Sequence, residues 1–435
     1  MYEGKRGITV QFFSKGYLSV IIAFSLQPSA FSLLASSTAH AAAFYLSEVG
    51  TPASVGTAGA SNVTNNFGPD ATWANPAGLT AVDDGVIVAG FQVVTATMEF
   101  DASVAQAGGD DGGNAGSPAG IPSLFYHRQL SERWHAGVGV SGMMGGGMDY
   151  GNNFAGRYGA KEVTLQGLGA TFSLGWQATD KLSLGAGLSV VYTLFEEEIA
   201  VNQPGALPDG AVKFDELDDV GVQPILGMQY QATDDLLLGL SWRGELDADL
   251  EGDLRFSNVV LPLPAETDVG LDWTNPQWLE IGGKYTLRSG HQLMLSANWQ
   301  EWSKFSENQL SVNVDATGNV IQTTLDRDWD DTWGVALALA SPWQPEVDAW
   351  AWSVGIGYDS SPVEDDVRTI DLPMDETWKL AGAIIRSRAE KFDWSLSLSA
   401  QMIGDAEVDQ TSQDVRFVGD FDKYYVVFLG ATARF

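Results

Sequence analysis

The sequence contains no cysteine, so neither a disulfide nor a thiolate metal site can hold its fold together. Cations are also few: the 435 residues include 23 Lys and Arg against 56 Asp and Glu, a formal net charge of −33. Because nucleic-acid binding requires clustered Lys and Arg, nucleic acid is not expected as a partner. We interpret the acidity as a solvated surface suited to a salty environment. The alternative is that carboxylate-rich loops hold divalent cations near anionic lipid.

The sequence also lacks an apolar run long enough for a transmembrane helix, which needs about 20 residues. The best candidate, Tyr17 to Leu26, is interrupted by Gln27-Pro28. It follows a basic N-terminus and precedes Ala39-His40-Ala41, a pattern typical of signal-peptide cleavage. We therefore predict that residues 1–41 are a cleaved signal peptide rather than an anchor. Its three cations and one Glu give it a net charge of +2, which leaves the rest of the chain at −33 − 2 = −35.

Histidines are scarce as well, which argues against an enzyme. After residue 41 the chain has only His127, His135 and His291, and each is predicted to flank a turn at the surface. None lies in a motif with a nucleophilic serine, and no His or Cys cluster has the spacing of metal ligands. We predict no catalytic residue, no metal site and no cofactor. The carboxylates around residues 326–331 are interpreted as a solvated loop end rather than a calcium site.

What the sequence does contain is a long series of alternating segments. Leu182 to Tyr192, Trp350 to Tyr358 and Trp394 to Met402 each place apolar residues at every second position, with small or polar residues between them. Successive side chains of a strand point to opposite faces, so each segment predicts a strand with one apolar face. In a soluble sandwich that face would meet a second sheet, whereas in a membrane barrel it faces lipid.

Three features favour the barrel. Trp and Tyr recur near the predicted strand ends, and the chain ends in Phe435 with apolar residues alternating before it. Six short connections also alternate with seven long ones, the pattern of bacterial outer-membrane barrels. Thirteen connections imply fourteen strands. We predict an all-β fold, a 14-stranded antiparallel transmembrane β-barrel over residues 83–435.

The segment before the first strand has a different character. Residues 42–82 are small, polar and glycine-rich, without strand alternation or a helical stripe. On its own such a segment would be a linker. The lumen of a 14-stranded barrel is too wide for wall side chains to fill, and irregular backbone is tolerated at membrane depth only inside protein. We therefore predict that residues 42–82 form a hatch inside the barrel.

Two groups of residues are candidates for contact with a ligand. The run Gly142–Met148 lies late on the third predicted strand, where glycines either let the hatch approach the wall or mark a kink that opens a gap. In the second case Met143, Met144 and Met148 would offer adaptable apolar contact. The second group is cationic: Arg243 is predicted to point inward, and the others are Arg157, Lys161, Arg327 and Lys379. Each could simply pair with nearby carboxylates.

Several stretches resemble one family. They are the Asn75-Pro76-Ala77 segment, FAGRYGAKEVTLQ at 154–166, GLSWRGELDADLEGD at 239–253, NWQEWSKF at 298–305 and GYDSSPVEDDVRTIDLP at 357–373. Together they resemble the long-chain fatty-acid outer-membrane transporter family, which also includes aromatic-hydrocarbon uptake proteins. The resemblance covers nearly the whole chain after the signal peptide.

The resemblance implies a passive transporter whose ligand leaves sideways beside a kinked third strand. It implies that Phe44, Tyr45 and Leu46 sense the ligand, that Asn75, Pro76 and Ala77 anchor the hatch, and that Gly145, Gly146 and Gly147 form the kink. Fatty-acid members use two cations to meet the carboxylate. Here the first position reads Glu196-Glu197-Glu198, and Arg327 stands at the second.

We therefore expect passive uptake of hydrophobic compounds across the outer membrane, with long-chain fatty acids as the expected ligand. The alternatives are uptake of aromatic or aliphatic hydrocarbons and a porin-like or structural barrel without specific transport. Other expected partners are outer-membrane lipid and lipopolysaccharide, and the barrel-assembly machinery acting through Phe435.

Overall fold

Fourteen antiparallel strands close into a barrel in the computed structural model of this chain, which confirms the predicted fold. The structure describes residues 46–205, 207–260, 265–313, 320–343, 348–389 and 392–435. The predicted signal peptide lies outside these ranges. No helix within them is both long and apolar enough to cross a membrane.

Several strands consist of two segments separated by a short irregularity. The strands are β1 Ile87–Ala105, β2 Ala119–Gln129, β3 Trp134–Asp149, β4 Glu162–Gln177, β5 Leu182–Val201, β6 Gly210–Gln231, β7 Leu236–Arg243 and Leu246–Ser257, β8 Glu266–Asn275 and Trp278–Thr286, β9 Gln292–Gln300 and Glu307–Asn313, β10 Val320–Asp326 and Thr332–Ala340, β11 Trp350–Asp359, β12 Thr377–Ala389, β13 Phe392–Ile403 and Val408–Ser412, and β14 Val415–Arg434. Each pairs with its neighbours in sequence, and β1 pairs with β14 to close the ring.

The alternation seen in the sequence separates the outer from the inner face of the wall. On β11, Trp350 and Val354 are 55% and 52% exposed, whereas Ala351 and Ser353 between them are 0% and 3% exposed. Similar apolar side chains are exposed on nearly every strand. An apolar band of this extent around a barrel is the surface that lipid covers.

Two expectations about the connections need correction. The connection between β5 and β6, predicted as one of the seven long ones, is reduced to residues 202–209, because the two strands continue to pair as an extended hairpin. His127 and His135 are not surface residues. They are 0% and 4% exposed, and their facing nitrogens lie 3.0 Å apart. A second hydrogen bond of 2.8 Å joins His127 Nδ1 to the Asp83 carbonyl, so the pair ties the end of the hatch to β2 and β3.

The segment before β1 fills the barrel with short turns. It contains 3₁₀ helices at Val55–Thr57, Asn62–Thr64 and Pro76–Ala81 and one α-helical turn at Ala71–Ala74; a further 3₁₀ helix, Trp302–Ser306, lies in β9. Residues 48–65 and 68–79 are all buried. This segment is called the hatch below.

Inward-facing wall side chains satisfy the irregular backbone of the hatch. The hydroxyl of Ser353 donates to the Gly56 carbonyl at 2.7 Å, that of Ser173 to Thr72 at 2.9 Å and that of Ser241 to Ala74 at 3.0 Å. Buried backbone groups need such partners, and the polar inner face of the wall supplies them. The alternation of the strands therefore also determines how the hatch is held.

The glycines of the inner wall have a steric role. A Cβ at Gly355 would lie 2.5 Å from the Thr57 carbonyl carbon, and one at Gly239 would clash with the Val63 carbonyl. Side chains at these positions would push the hatch off the wall. The small inner residues thus match the close approach of the hatch backbone.

Candidate functional site

The wall of the barrel has an interruption between β2 and β3. These strands pair from Leu124 with Val140 to Gln129 with His135 and no further. Beyond this point β2 pairs only with β1, and β3 pairs only with β4. The next backbone pairing described across the interruption is the isolated bridge between Gly116 and Met148. A gap therefore lies between residues 117–123 and 141–147.

The irregularity of β3 lies at Met143, two residues before the glycines predicted to form the kink. The register with β4 shifts between Gly142 and Met144, so Met143 is an extra residue, and Gly145, Gly146 and Gly147 resume regular pairing with β4. An extra residue bends a strand and disrupts its ladder. The bulge lies at the edge of the gap.

The predicted methionines lie on β3 at the edge of this gap. Met143, Met144 and Met148 are at most 2% exposed. The indole Nε1 of Trp73 in the hatch donates to the sulfur of Met143 at 3.2 Å, and the Asn275 amide approaches the sulfur of Met144 at 3.7 Å. The surface behind the gap is therefore apolar and adaptable.

The N-terminal end of the hatch lies at the gap. Leu46, the first described residue, donates its backbone N–H to the Met143 carbonyl at 3.0 Å. A Cβ at Gly142 would be 2.7 Å from Ile121 Cγ2 and 3.2 Å from Leu46 Cδ1, so these two side chains occupy the gap at the level of the bulge. Phe44 and Tyr45, predicted to sense the ligand with Leu46, lie outside the described residues.

Asn75 joins the hatch to two strands. Its Nδ2 donates to the Val63 carbonyl at 2.7 Å and lies 3.2 and 3.3 Å from the carbonyls of Leu240 on β7 and Met228 on β6. Its Oδ1 accepts from the backbone N–H of Ala77 at 3.1 Å. Pro76 follows as the first residue of a 3₁₀ helix, where its missing N–H costs nothing.

Arg243 points inward as predicted, and its guanidinium is bound to the hatch. Its guanidinium donates to the Trp73 carbonyl at 2.8 Å and lies 4.3 Å above the indole ring of Trp73. Lys379 holds the hatch in a similar way, with its Nζ 2.9 Å from the Ser47 hydroxyl and 2.6 Å from Asp359. Both cations position the hatch.

Above the hatch the lumen contains an aromatic cluster that the sequence did not indicate. Phe305 packs on Trp273, Trp329 and Trp302, with ring centroids 4.7, 4.9 and 5.8 Å apart. Phe195 extends the cluster, 5.5 Å from Trp273. We call these five residues the aromatic cluster; they come from β5, β8, β9 and β10.

Arg327 lies beside this cluster, with its guanidinium carbon 5.8 Å from the Phe305 ring centroid. It donates to Asp371 at 2.7 Å and to the Thr369 hydroxyl at 3.2 Å, both in the loop between β11 and β12. Burial lowers the pKa of Arg327, but the carboxylates of Asp371 and Glu197 raise it overall. Burial likewise raises the pKa of Asp371, and the Arg327 charge outweighs it and holds the pKa below its ordinary value. The pair is therefore charged at neutral pH.

The remaining predicted cations connect outer loops. Arg157 pairs with Asp209 at 2.8 Å and donates to the Tyr158 hydroxyl, and Lys161 pairs with Glu198. The structure thus brings Leu46, Met143, Trp73 and Arg243 together at the gap and places Arg327 in a separate cluster. No group of three or more His, Cys, Asp or Glu side chains in the described ranges is arranged to hold a metal ion.

A lipid-facing barrel with an internal hatch, an aromatic cluster in its lumen and a gap in its wall defines a class: outer-membrane channels for compounds that dissolve poorly in water. The chain belongs to the family described as Outer membrane protein transport protein (OMPP1/FadL/TodX), which matches residues 32–433. It is therefore an outer-membrane transporter of hydrophobic compounds.

Two named relatives show how similar this chain is to other members of the family. The Long-chain fatty acid transport protein of Escherichia coli O6:H1 is 26% identical over 306 residues, which are 62% of this chain and 66% of that protein. Outer membrane protein P1 of Haemophilus influenzae is 23% identical over 399 residues, 81% of this chain and 84% of that protein.

Solved structures share the fold. A Pseudomonas aeruginosa FadL homologue superposes with a TM-score of 0.80 at 19% identity, covering 91% of this chain and 99% of its own. The Pseudomonas putida toluene transporter TodX gives 0.66 at 20% identity, covering 85% and 94%.

Proposed function

We propose that this protein lets hydrophobic compounds diffuse from the part of its lumen that holds the aromatic cluster into the membrane, through the gap between β2 and β3. The observation that carries the proposal is the end of β2–β3 pairing at Val140, beside a methionine-lined surface. A hydrophobic compound in the lumen would meet lipid there without crossing a polar layer.

The hatch supports a sideways exit over an axial one. Hydrogen bonds to Ser173, Ser241, Ser353 and Arg243 fix it around the lumen, and its backbone packs closely against glycines of the wall. Opening an axial route would break all of these at once. Opening the gap requires only that Leu46 and Ile121 move.

No energy source is needed in this scheme. Burial stabilises a ligand by about 0.8 kcal/mol per CH₂, both in the lumen and in the membrane. The path therefore removes the barrier of the polar surface layer, and the concentration gradient sets the direction. Leu46 would close the gap until a ligand displaces it, and Phe44 and Tyr45 are proposed to sense the ligand with it.

The ligand class is a finer question. Long-chain fatty acids are the class expected from the sequence, and the E. coli relative is named for them. Neutral hydrocarbons are the second candidate, because Arg327 is already paired with Asp371. We also propose that residues 1–41 are removed as a signal peptide and that the assembly machinery recognises Phe435. Lipopolysaccharide would surround the outer rim.

Uptake in a transporter-deficient strain tests the function. Cells expressing the protein should accumulate radiolabelled oleate or hexadecane faster than cells with the empty vector. If cells with the protein take up both compounds no faster than cells with the empty vector, the proposal is refuted and a structural barrel is favoured. Faster entry of small hydrophilic sugars as well would indicate a porin.

A further inference from the structure

The charge balance beside the aromatic cluster differs from that of an anion site. Arg327 is the cation there, and its side chain is only 12% exposed. Its ion-pair partner is Asp371, at 2.7 Å. The Asp371 carboxylate compensates the positive charge of Arg327, which leaves no surplus for an anionic ligand.

The geometry of the Arg327–Asp371 pair also disfavours an anionic ligand. The Asp371 side chain is 11% exposed and its carboxylate accepts a hydrogen bond from Arg327 Nη2 at 2.7 Å, while the Thr369 hydroxyl accepts one from Nη1. A ligand carboxylate would have to displace a carboxylate that the loop between β11 and β12 holds in place. In surroundings of low polarity, like charges at short range are strongly unfavourable.

The guanidinium still has one free group. Within the described ranges, Nε of Arg327 is buried without a hydrogen-bond partner. This donor suits a neutral acceptor atom, such as a hydroxyl or carbonyl oxygen, and the adjoining aromatic cluster suits the apolar remainder of a ligand. The site thus has apolar area and an unpaired buried donor, with its charge already compensated.

We propose that Asp371 is a specificity-determining residue that makes the aromatic cluster a site for uncharged hydrophobic compounds rather than fatty-acid anions. The inference rests on the proposed function, since it concerns which compound enters the same path. Asp371 acts by occupying Arg327; it need not touch the ligand.

Dodecane and dodecanoate are suitable probes because they share a twelve-carbon chain and differ in the carboxylate. Binding of each radiolabelled compound is measured on the purified full-length protein in amphipol at neutral pH. The wild-type protein should bind dodecane more tightly than dodecanoate. Asp371→Asn frees the Arg327 charge and should raise the affinity for dodecanoate about tenfold to hundredfold, the range of a charge-assisted hydrogen bond, with dodecane affinity little changed.

Three variants sharpen the test. Adding Arg327→Gln to Asp371→Asn should abolish the gain. Asp409→Asn is the matched control, because Asp409 pairs with Arg416 on an exposed hairpin and its loss should leave both affinities unchanged. Asp371→Ser also removes the carboxylate that pairs with Arg327 and should likewise favour dodecanoate, and it carries the test should Asp371→Asn fail to assemble.

The outcomes separate the inference from the function. If the wild-type protein binds dodecanoate as tightly as dodecane, or the ratio is unchanged in both carboxylate variants, the role of Asp371 is refuted while the transport proposal stands. If the wild-type protein binds neither compound and supports no uptake, the transport proposal itself fails.

Discussion

Asn75 is the side chain whose loss should loosen the hatch most directly. It is fully buried, and its amide satisfies the Val63 carbonyl and the Ala77 N–H while approaching β6 and β7. Asn75→Ala removes the partner of the Ala77 N–H and one of two donors to the Val63 carbonyl, which keeps Gln229 Nε2 at 3.3 Å. An unsatisfied buried group costs about 1–3 kcal/mol and a lost hydrogen bond about 1 kcal/mol, so the hatch should lose roughly 2–4 kcal/mol of local stability.

Hydrogen–deuterium exchange of peptides from residues 62–82 measures this loss. A change of about 3 kcal/mol corresponds to a population of the open hatch roughly 100-fold larger, and exchange should accelerate accordingly. Planar-bilayer recordings should show frequent openings that the wild-type protein lacks. The barrel strands should keep their protection, since they pair independently of Asn75.

Asn153→Ala is the control, because the Asn153 amide lies in an exposed loop and donates to Asp110 at 3.0 Å. It should leave exchange in the hatch unchanged. The reasoning would be refuted if Asn75→Ala also left exchange and conductance at wild-type values, because the hatch would then depend on other contacts.

Two further substitutions test how the hatch packs against the wall and how its end is joined to β2 and β3. Gly355→Val places a side chain against the Thr57 carbonyl, so the barrel should assemble but leak, which is measured as vancomycin sensitivity of cells. In the control Gly270→Val the nearest atom to the new Cβ is 3.8 Å away, so this variant should not leak. Equal vancomycin sensitivity of the two variants would contradict the steric argument. His127→Ala leaves the facing nitrogen of His135 and the Asp83 carbonyl unpaired. It should therefore lower the temperature at which the folded band is lost on heat-modifiability gels, and an unchanged temperature would show that the pair contributes little.

The strand pattern was predictable because it is local. The alternation of Trp350 to Tyr358 specifies both faces of β11, and the short and long connections specify the number of strands. A strand end is less predictable, because pairing decides it: β5 and β6 continue beyond the apolar band only because each has the other as partner.

The functional details depend on residues far apart in sequence. Nothing near Asn75 reveals that Met228 and Leu240 will lie beside it, and nothing near Arg327 reveals Asp371, 44 residues later. The glycine run indicated an irregular third strand, but the bulge falls at Met143, where the register with β4 requires an extra residue. The burial of His127 and His135 likewise depends on the hatch.

A reversible cross-link across the gap tests sideways release most directly, and the absence of natural cysteines makes it clean. A Cβ at Gly142 lies 2.7 Å from Ile121 Cγ2, so the two Cβ atoms are about 4 Å apart, as in a disulfide. In the Ile121→Cys/Gly142→Cys protein, oxidation should reduce uptake of labelled hexadecane to the empty-vector rate, and reductant should restore it, while each single-cysteine variant stays insensitive to both. Wild-type uptake by fully cross-linked protein would contradict release through the gap.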